Sequence, residues 1–401
     1  MSQLINRDKY LPLILPHIGK EIIKIIIGQR RVGKSYFLRQ IKQYILTHNP
    51  RATIIYINKE SYDFAHIISA AELVAYTTSK SSQGNNVLII DEVQEIKEFE
   101  KGVRHFLGQG FDIYLSGSNS DMLSGELATL LTGRYIQIRI NPLTFKEFCT
   151  FHNKKHDETS LNLYLRYGGM PYLHHINLDD DEIVYNYLKN IYQTILLKDV
   201  VARYSIKNVD LLERLVLFLA DNAGSIVSAK KISDFLKSQR LTISSSVITN
   251  YLYYLNNAFF IIKTRRYDLQ GKRFLEIGEK YYFSDTGMRN ALVGFKPQDI
   301  NKILENAVYN HLQSMNYDIS IGKLHDLEID FIAEKHNQKV YIQVAYLLKD
   351  EKVVAREYGN LKKISDNFPK YVISMDTITL DNQDGIKHMK MLDFMLAENL
   401  I

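Results

Sequence analysis

Apolar, β-branched runs recur along the first 140 residues, separated by stretches long enough for a helix. They are IIKIIIG (22–28), ATIIYIN (52–58), NVLIIDE (86–92), DIYLSGS (112–118) and YIQIRI (135–140). Runs without polar alternation belong to strands covered on both faces. The helices between them then make an open, mostly parallel α/β sheet, which takes its ligands at the carboxyl ends of the strands.

The period changes further on. LLERLVLFLADNAG is apolar at helical spacing and ends at Gly224; SAKKISDFLKSQ opens on Ser228 as N-cap; TISSSVITNYLYYLNNAF is a further helix. FFIIKTRRYD and KRFLEIGEKYYFSD then alternate as the arms of a hairpin with Gly271 at its turn. Helix, turn, helix and hairpin are the order of a winged helix. From 297 onward comes a second α/β unit: helix NKILENAVYNHLQSM, strands YDISIGKL, EIDFIAE and KVYIQVAY, helix REYGNLKKISD, strand KYVISMD and a final helix.

Chemistry enters at the end of the first run. Gly28-Gln29-Arg30-Arg31-Val32-Gly33-Lys34-Ser35 fits G-x-x-x-x-G-K-[ST] at every fixed position, with a strand before it and a helix after it, and Tyr36 joins these eight as an expected nucleotide-binding residue. The glycines let backbone N–H groups wrap phosphates, Lys34 brings a charge to the β- and γ-phosphates, and Ser35 brings a hydroxyl to Mg²⁺. NVLIIDEVQ ends a strand in two acids. Asp91 is placed to hold the Mg²⁺ shell, and Glu92 to orient and deprotonate a water for attack on the γ-phosphate. One strand lies between the two motifs, which favours the hydrolytic branch of P-loop proteins. Ser118 and Asn119, after the next strand, are candidates to sense the γ-phosphate, although Ser and Asn also suit any turn. ATP and Mg²⁺ are the implied ligands.

Composition narrows the setting. Hydrophobic residues make up 46% and charged residues 24%, the balance of a globular protein, and 401 residues call for two to four domains. Runs such as LVLFLA and AFFII are too short to span a bilayer, and the polar start MSQLINRDKY is unlike a secretory signal. The lone Cys149 leaves no internal disulfide and no cysteine-based zinc cluster. A reducing cytoplasm is the expected setting. The net charge of +5 is concentrated: residues 226–285 hold ten Lys or Arg against five Asp or Glu. That zone is either a nucleic-acid surface or a solvated basic face. In the first case the helix from Ser244 enters the major groove, and Lys263, Arg265, Arg266, Lys272 and Arg273 contact phosphates. In the second, the helices dock a protein.

The stretches GQRRVGKS, LIIDEVQEI, YLSGSNSDML, LTGRY followed by PLTFKEF, and YGGMPY, continued by REYGNLKKISDNFPKYVISMD and GIKHMKMLDFML, resemble a large prokaryotic family of AAA-type ATP-binding proteins. That family is related to the signalling ATPases with numerous domains. The resemblance covers nearly the whole chain and implies ATP binding far more firmly than a biological role. It implies that Arg134 reaches the γ-phosphate of a neighbouring subunit in a homo-oligomer; the alternative is a surface arginine at a strand start. It implies that Gly168, Gly169 and Pro171 lie against the nucleotide from a lid, the alternative being a simple helix break, and that Arg7 and Tyr10 approach the adenine. The C-terminal order resembles the restriction-endonuclease-like fold. Asp330 matches the acid of its second strand and Glu305 an additional helix acid, but Gln343 and Ala345 stand where the third-strand acid and lysine belong. The nearest lysines in sequence, Lys323 and Lys339, have no spacing that puts either at the site. A retained scaffold without nuclease activity is therefore expected.

The expected organisation is a P-loop ATPase core (1–150), a helical lid (151–205), a winged-helix domain (206–290) and a restriction-endonuclease-like domain (291–401). The expected function is ATP hydrolysis that controls a half binding double-stranded DNA or a protein partner. The rivals are a switch that binds only proteins and an ATP-regulated nuclease.

Overall fold

The run IIKIIIG becomes strand β1 (Ile23–Ile27), buried along its whole length. It is followed by helix α1 (Lys34–His48), β2 (Thr53–Asn58), α2 (Ala70–Lys80), β3 (Asn86–Asp91), α3 (Phe99–Gly108), β4 (Asp112–Gly117) and β5 (Tyr135–Arg139). This computed structural model describes residues 5–120, 131, 133–239, 243–275, 278–378 and 382–400. Part of the stretch LATLLTG falls outside them.

The five strands are parallel, in the order β2-β3-β4-β1-β5. Alternation along each strand feeds two cores. Ile23, Ile25, Ile27, Leu88 and Ile90 enter one, and Ile26, Val87, Ile89 and Tyr114 the other. Lys24 interrupts the isoleucines, fully buried, with its Nζ 2.5 Å from Asp112 Oδ1 and 2.9 Å from the Lys20 carbonyl. Burial lowers its pKa against the pull of Asp112. The order leaves β1 between β4 and β5, so the loop after β1 emerges where the ends of β3 and β4 also open.

The chain divides into two compact units, Met1–Asn141 with Asn257–Phe259, and Pro142–Asn256 with Phe260–Ile401. The second unit gathers what the sequence suggests as three separate domains. It opens with α4 (Phe145–Phe151), α5 (Glu158–Tyr167) and α6 (Asp181–Thr194), the last running into a π-helical stretch, Ile195–Ala202. Then come α7 (Val209–Asp221), α8 (Ala229–Ser238), α9 (Ser245–Asn257), β6 (Ile261–Thr264), β7 (Arg266–Asp268), β8 (Arg273–Phe274), β9 (Lys280–Phe283) and α10 (Thr286–Val293). The remainder is α11 (Ile300–Ser314), β10 (Asp318–Leu324), β11 (Leu327–Lys335), β12 (Gln338–Ala345), α12 (Glu351–Lys362), β13 (Lys370–Ser374), β14 (Ile386–Lys390) and α13 (Met391–Leu396).

The hairpin expected after α9 is split in two. Its base, β6 with β9, forms a two-stranded antiparallel pair. Its outer half, β7 with β8, joins a seven-stranded sheet in the order β14-β13-β12-β11-β10-β7-β8, because β7 pairs in parallel with β10. The alternating pattern identifies the arms but not their partner, which comes from about 55 residues downstream in the chain. No helix among the described residues is long and apolar enough to cross a membrane.

Candidate functional site

The phosphate loop requires its glycines. Gly28 has φ 151°, and a Cβ there would stand 2.2 Å from the Ile140 carbonyl oxygen. Gly33 has φ 100° and is the N-cap of α1, so the loop runs straight into a helix N-terminus with its unpaired N–H groups. Arg7 and Tyr10, expected near an adenine, brace the loop. The Arg7 guanidinium donates to the carbonyls of Val32 and Asn141, each at 3.1 Å, and the Tyr10 hydroxyl accepts from Asn141 N.

Around this loop the structure brings Lys34, Asp91, Glu92 and Ser118 together. Lys34 Nζ donates to the carbonyls of Gly28 and Gln29 at 3.1 Å and lies 3.5 Å from Glu92 Oε1. Asp91 accepts from Ser116 Oγ and from Tyr56 OH. Its carboxyl is pushed up by burial, against the Ser116 and Ser35 hydroxyls. Glu92 takes left-handed backbone angles (φ 57°, ψ 52°), its N–H held by Ser116 Oγ at 3.0 Å. Its Oε2 accepts from Gln94 Nε2 at 2.5 Å and Ser118 Oγ at 3.1 Å. Burial alone would raise the Glu92 pKa, but Lys34, then Arg30, and these two donors hold it down at about 2. Strained φ/ψ at a buried acid, fixed from four sides, is what a positioned base requires.

Two further P-loop residues differ in environment. The Arg30 guanidinium is buried and pairs with Glu60 at 2.6 Å, whereas Arg31, with φ 69°, is exposed. Tyr36 is half exposed on α1, with Arg39 over its ring. Asn119 is buried at the end of β4 beside Ser118. Gln29 is 2% exposed, and neither atom of its side-chain amide has a hydrogen-bond partner among the described residues. A buried amide left so costs about 1–3 kcal/mol. Together with the burial cost on Asp91, this is an arrangement that a polyanion could complete, and Ser35 and Asp91 are the side chains that could hold a divalent cation beside it.

Arg134 stands elsewhere. Its carbonyl accepts from Ile23 N, at the amino end of β1, whereas the P-loop leaves the carboxyl end. The exposed Arg134 is thus at the opposite edge of its own sheet, about 13 Å of strand away. Sequence reading also missed Gln94, Ser116, Tyr56 and Glu60. Of these, Gln94 lies inside LIIDEVQEI and Ser116 inside YLSGSNSDML; Tyr56 and Glu60 lie in neither.

In the second unit, YGGMPY is a packing motif. A Cβ on Gly169 would meet the Leu143 carbonyl oxygen at 2.2 Å, and one on Gly168 would meet Asp285 at the same distance. Gly169 N donates to Asp285 Oδ2 at 2.6 Å, Asp285 Oδ1 accepts from Met288 N, and Pro171 opens a 3-10 turn. Burial raises the Asp285 carboxyl from its ordinary 3.8 to about 6. A folded state that prefers the protonated acid loses stability as pH rises through this window. Asp285→Ala should therefore flatten the fall in stability between about pH 4 and 6. It should also cost on the order of 2–3 kcal/mol at neutral pH, through the orphaned N–H groups of Gly169, Gly287 and Met288, as read by chemical denaturation.

A second polar cluster lies on the C-terminal sheet. Its cation comes from β9: Lys280 Nζ is 2.8 Å from Glu305 and 2.7 Å from Glu328, and Tyr282 OH donates to Glu305 at 2.6 Å. Gln343 Oε1 accepts from Asp330 N, and Asp330 Oδ2 from Val344 N. Burial and then Glu305 push the Asp330 carboxyl up, against Lys280. Lys339 pairs instead with Glu334. Among the described residues no group of three or more His, Cys, Asp or Glu is arranged to hold a metal.

Comparison with known proteins places the P-loop unit in a family. Residues 20–149 match the AAA domain family, and residues 158–299 match a domain of unknown function. An uncharacterized protein of Haemophilus influenzae is 36% identical over 403 residues, covering 98% of this chain and 99% of its own length. The uncharacterized protein MJ1544 of Methanocaldococcus jannaschii is 32% identical over 411 residues, covering 96% of this chain and 89% of its own. Among solved structures, the Walker-type ATPase PABY2304 of Pyrococcus abyssi superposes with a TM-score of 0.50 at 16% identity, over 73% of this chain and 96% of that one. That likeness is one of fold.

Proposed function

The chain belongs to the family formed with its Haemophilus influenzae and Methanocaldococcus jannaschii relatives, an AAA-domain family with a P-loop, and on that premise we propose that it is a Mg²⁺-dependent ATPase whose nucleotide state governs its C-terminal half. The observation that carries this reading is Glu92, a buried carboxylate clamped by Gln94 and Ser118 beside Lys34. Arriving phosphates draw the Lys34 ammonium off the carbonyls of Gly28 and Gln29 and away from Glu92. Losing that partner lets the Glu92 carboxyl rise, so it becomes a stronger base when substrate is in place. Glu92 then accepts the proton of the attacking water, while loop N–H groups and Lys34 hold the phosphates. Ser35 and Asp91 would hold Mg²⁺, which would supply charge neutralisation to the phosphate oxygens.

Arg134 acts on the nucleotide of an adjacent subunit in this proposal, since its own sheet separates it from its own P-loop. Turnover per subunit should then rise with protein concentration, and Arg134→Ala should lose on the order of 10³-fold in rate. A rate independent of concentration, from a chain that sediments as a monomer, would remove the trans role.

For the C-terminal half, double-stranded DNA is the first reading, through a winged-helix-like module. The exposed face of α9 carries Ser245, Ser246, Thr249, Asn250 and Tyr253, hydrogen-bonding groups without charge, as base contacts require. A protein partner is the second. It is favoured by the engagement of the hairpin cations: Lys263 pairs with Glu279 at 2.6 Å and Arg265 stacks over Phe274. ATP turnover measured with and without duplex DNA separates the two. Stimulation supports the first, and indifference to DNA with unchanged basal turnover supports the second.

A further inference from the structure

We propose that the side chain of Arg30 is the γ-phosphate cation of this P-loop, acting within its own subunit and held at rest by Glu60. The inference rests on the ATPase reading and adds to it a transition-state contact from inside the loop.

Arg30 is the third residue of the motif, on the span whose backbone wraps the phosphates. Its neighbour Arg31 faces solvent, but Arg30 is 4% exposed. Burying a guanidinium is costly unless it is paired. The partner at 2.6 Å, Glu60, sits in the loop after β2 with its own side chain 40% exposed, so it can exchange the pair for water at little cost. Arg30 also acts electrostatically on Glu92, the group assigned to take the water proton. A guanidinium buried within the phosphate loop, paired to one exposed carboxylate and within electrostatic range of the base, is close enough to serve the charge that develops on the transferred phosphoryl group. Arg134 cannot take this place within its own subunit, because it stands at the other end of the sheet.

In the reaction, the water oxygen forms a bond to the γ-phosphorus as the bond to the bridging oxygen of ADP breaks. ADP keeps that electron pair, and the water proton passes to Glu92. Arg30 leaves Glu60 and donates to the equatorial oxygens, where guanidinium geometry allows two hydrogen bonds at once. It forms no covalent bond and changes no atom count.

The test uses the full chain with fluorescent ATP and ADP analogues in Mg²⁺ buffer, alongside steady-state ATP turnover. The variants are Arg30→Ala, Arg30→Lys and Glu60→Gln. Arg30→Ala should leave ADP affinity near that of the parent, which also reports an intact fold. It should lower the preference for ATP over ADP by roughly tenfold and kcat by on the order of 10²–10³-fold. Arg30→Lys should recover part of the kcat. Glu60→Gln, which releases Arg30, should not lower kcat. A Glu60→Gln variant as slow as Arg30→Ala would make the pair a structural tie and overturn the proposal. So would Arg30→Ala with the parental kcat and ATP preference. The binding ratio reads the γ-phosphate contact even if the parent turns over slowly, so loss of the Arg30 role is told apart from loss of hydrolysis. A parent that binds neither nucleotide overturns both readings.

Discussion

Glu92→Gln should bind ATP about as well as the parent and hydrolyse it on the order of 10²–10⁴-fold more slowly, the range for removing a general base. The amide can keep its acceptor bonds from Ser118 and Gln94 but takes no proton. Lys34→Ala should fail earlier, at binding, since Lys34 is the P-loop ammonium within reach of Glu92 and the loop carbonyls. The pair is read by equilibrium ATP binding and single-turnover hydrolysis. Glu92→Gln hydrolysing at the parental rate would show that another group activates the water. The same variant has a pH signature. A carboxyl held near 2 adds stability that is complete above its ordinary 4.5 and disappears as pH falls through about 2. Acid denaturation of Glu92→Gln should lack that component.

Lys280→Met should destabilise the second unit by on the order of 1–3 kcal/mol, the cost of leaving two partly buried carboxylates without their cation. Lys280 is nearly fully buried and touches both Glu305 and Glu328. The double variant Lys280→Met with Glu305→Gln should recover part of the loss, because it removes charge from both sides. Thermal and denaturant unfolding measure both. The same contacts bear on the nuclease reading. Phosphodiester cleavage needs carboxylates free to converge on a metal, and here an ammonium is bonded to two of them. Purified protein should leave supercoiled DNA, linear DNA and RNA uncut in Mg²⁺ or Mn²⁺, with or without ATP. Cleavage that vanishes in Asp330→Ala would establish the nuclease.

The nucleotide site was legible because its chemistry is local. Eight consecutive residues give the loop, and four apolar residues in a row lead to Asp91 and Glu92. The hydroxyl and amide groups that set the state of those acids were not legible. Ser116 and Gln94 are ordinary residues until β3 and β4 lie side by side. Lys280 was missed for a related reason. Nothing in its spacing ties it to Glu305, 25 residues later, or to Glu328 and Asp330 beyond that; the sheet and α11 bring them together. For YGGMPY, read as either a lid contact or a helix break, local sequence could not show that its glycines are required by Leu143 and Asp285. Arg134 was found from its place before β5, but only strand register shows which end of the sheet it occupies.

The junction of β7 with β10 has a practical outcome for anyone dividing this chain. A fragment beginning near residue 291 would lose β7 and β8 and leave β10 with a bare edge, a template for intermolecular pairing. Such a fragment should be prone to aggregate, whereas one beginning before β6 keeps its own border strand. The helical trio and the C-terminal sheet, stitched by one hairpin, should also melt in a single transition.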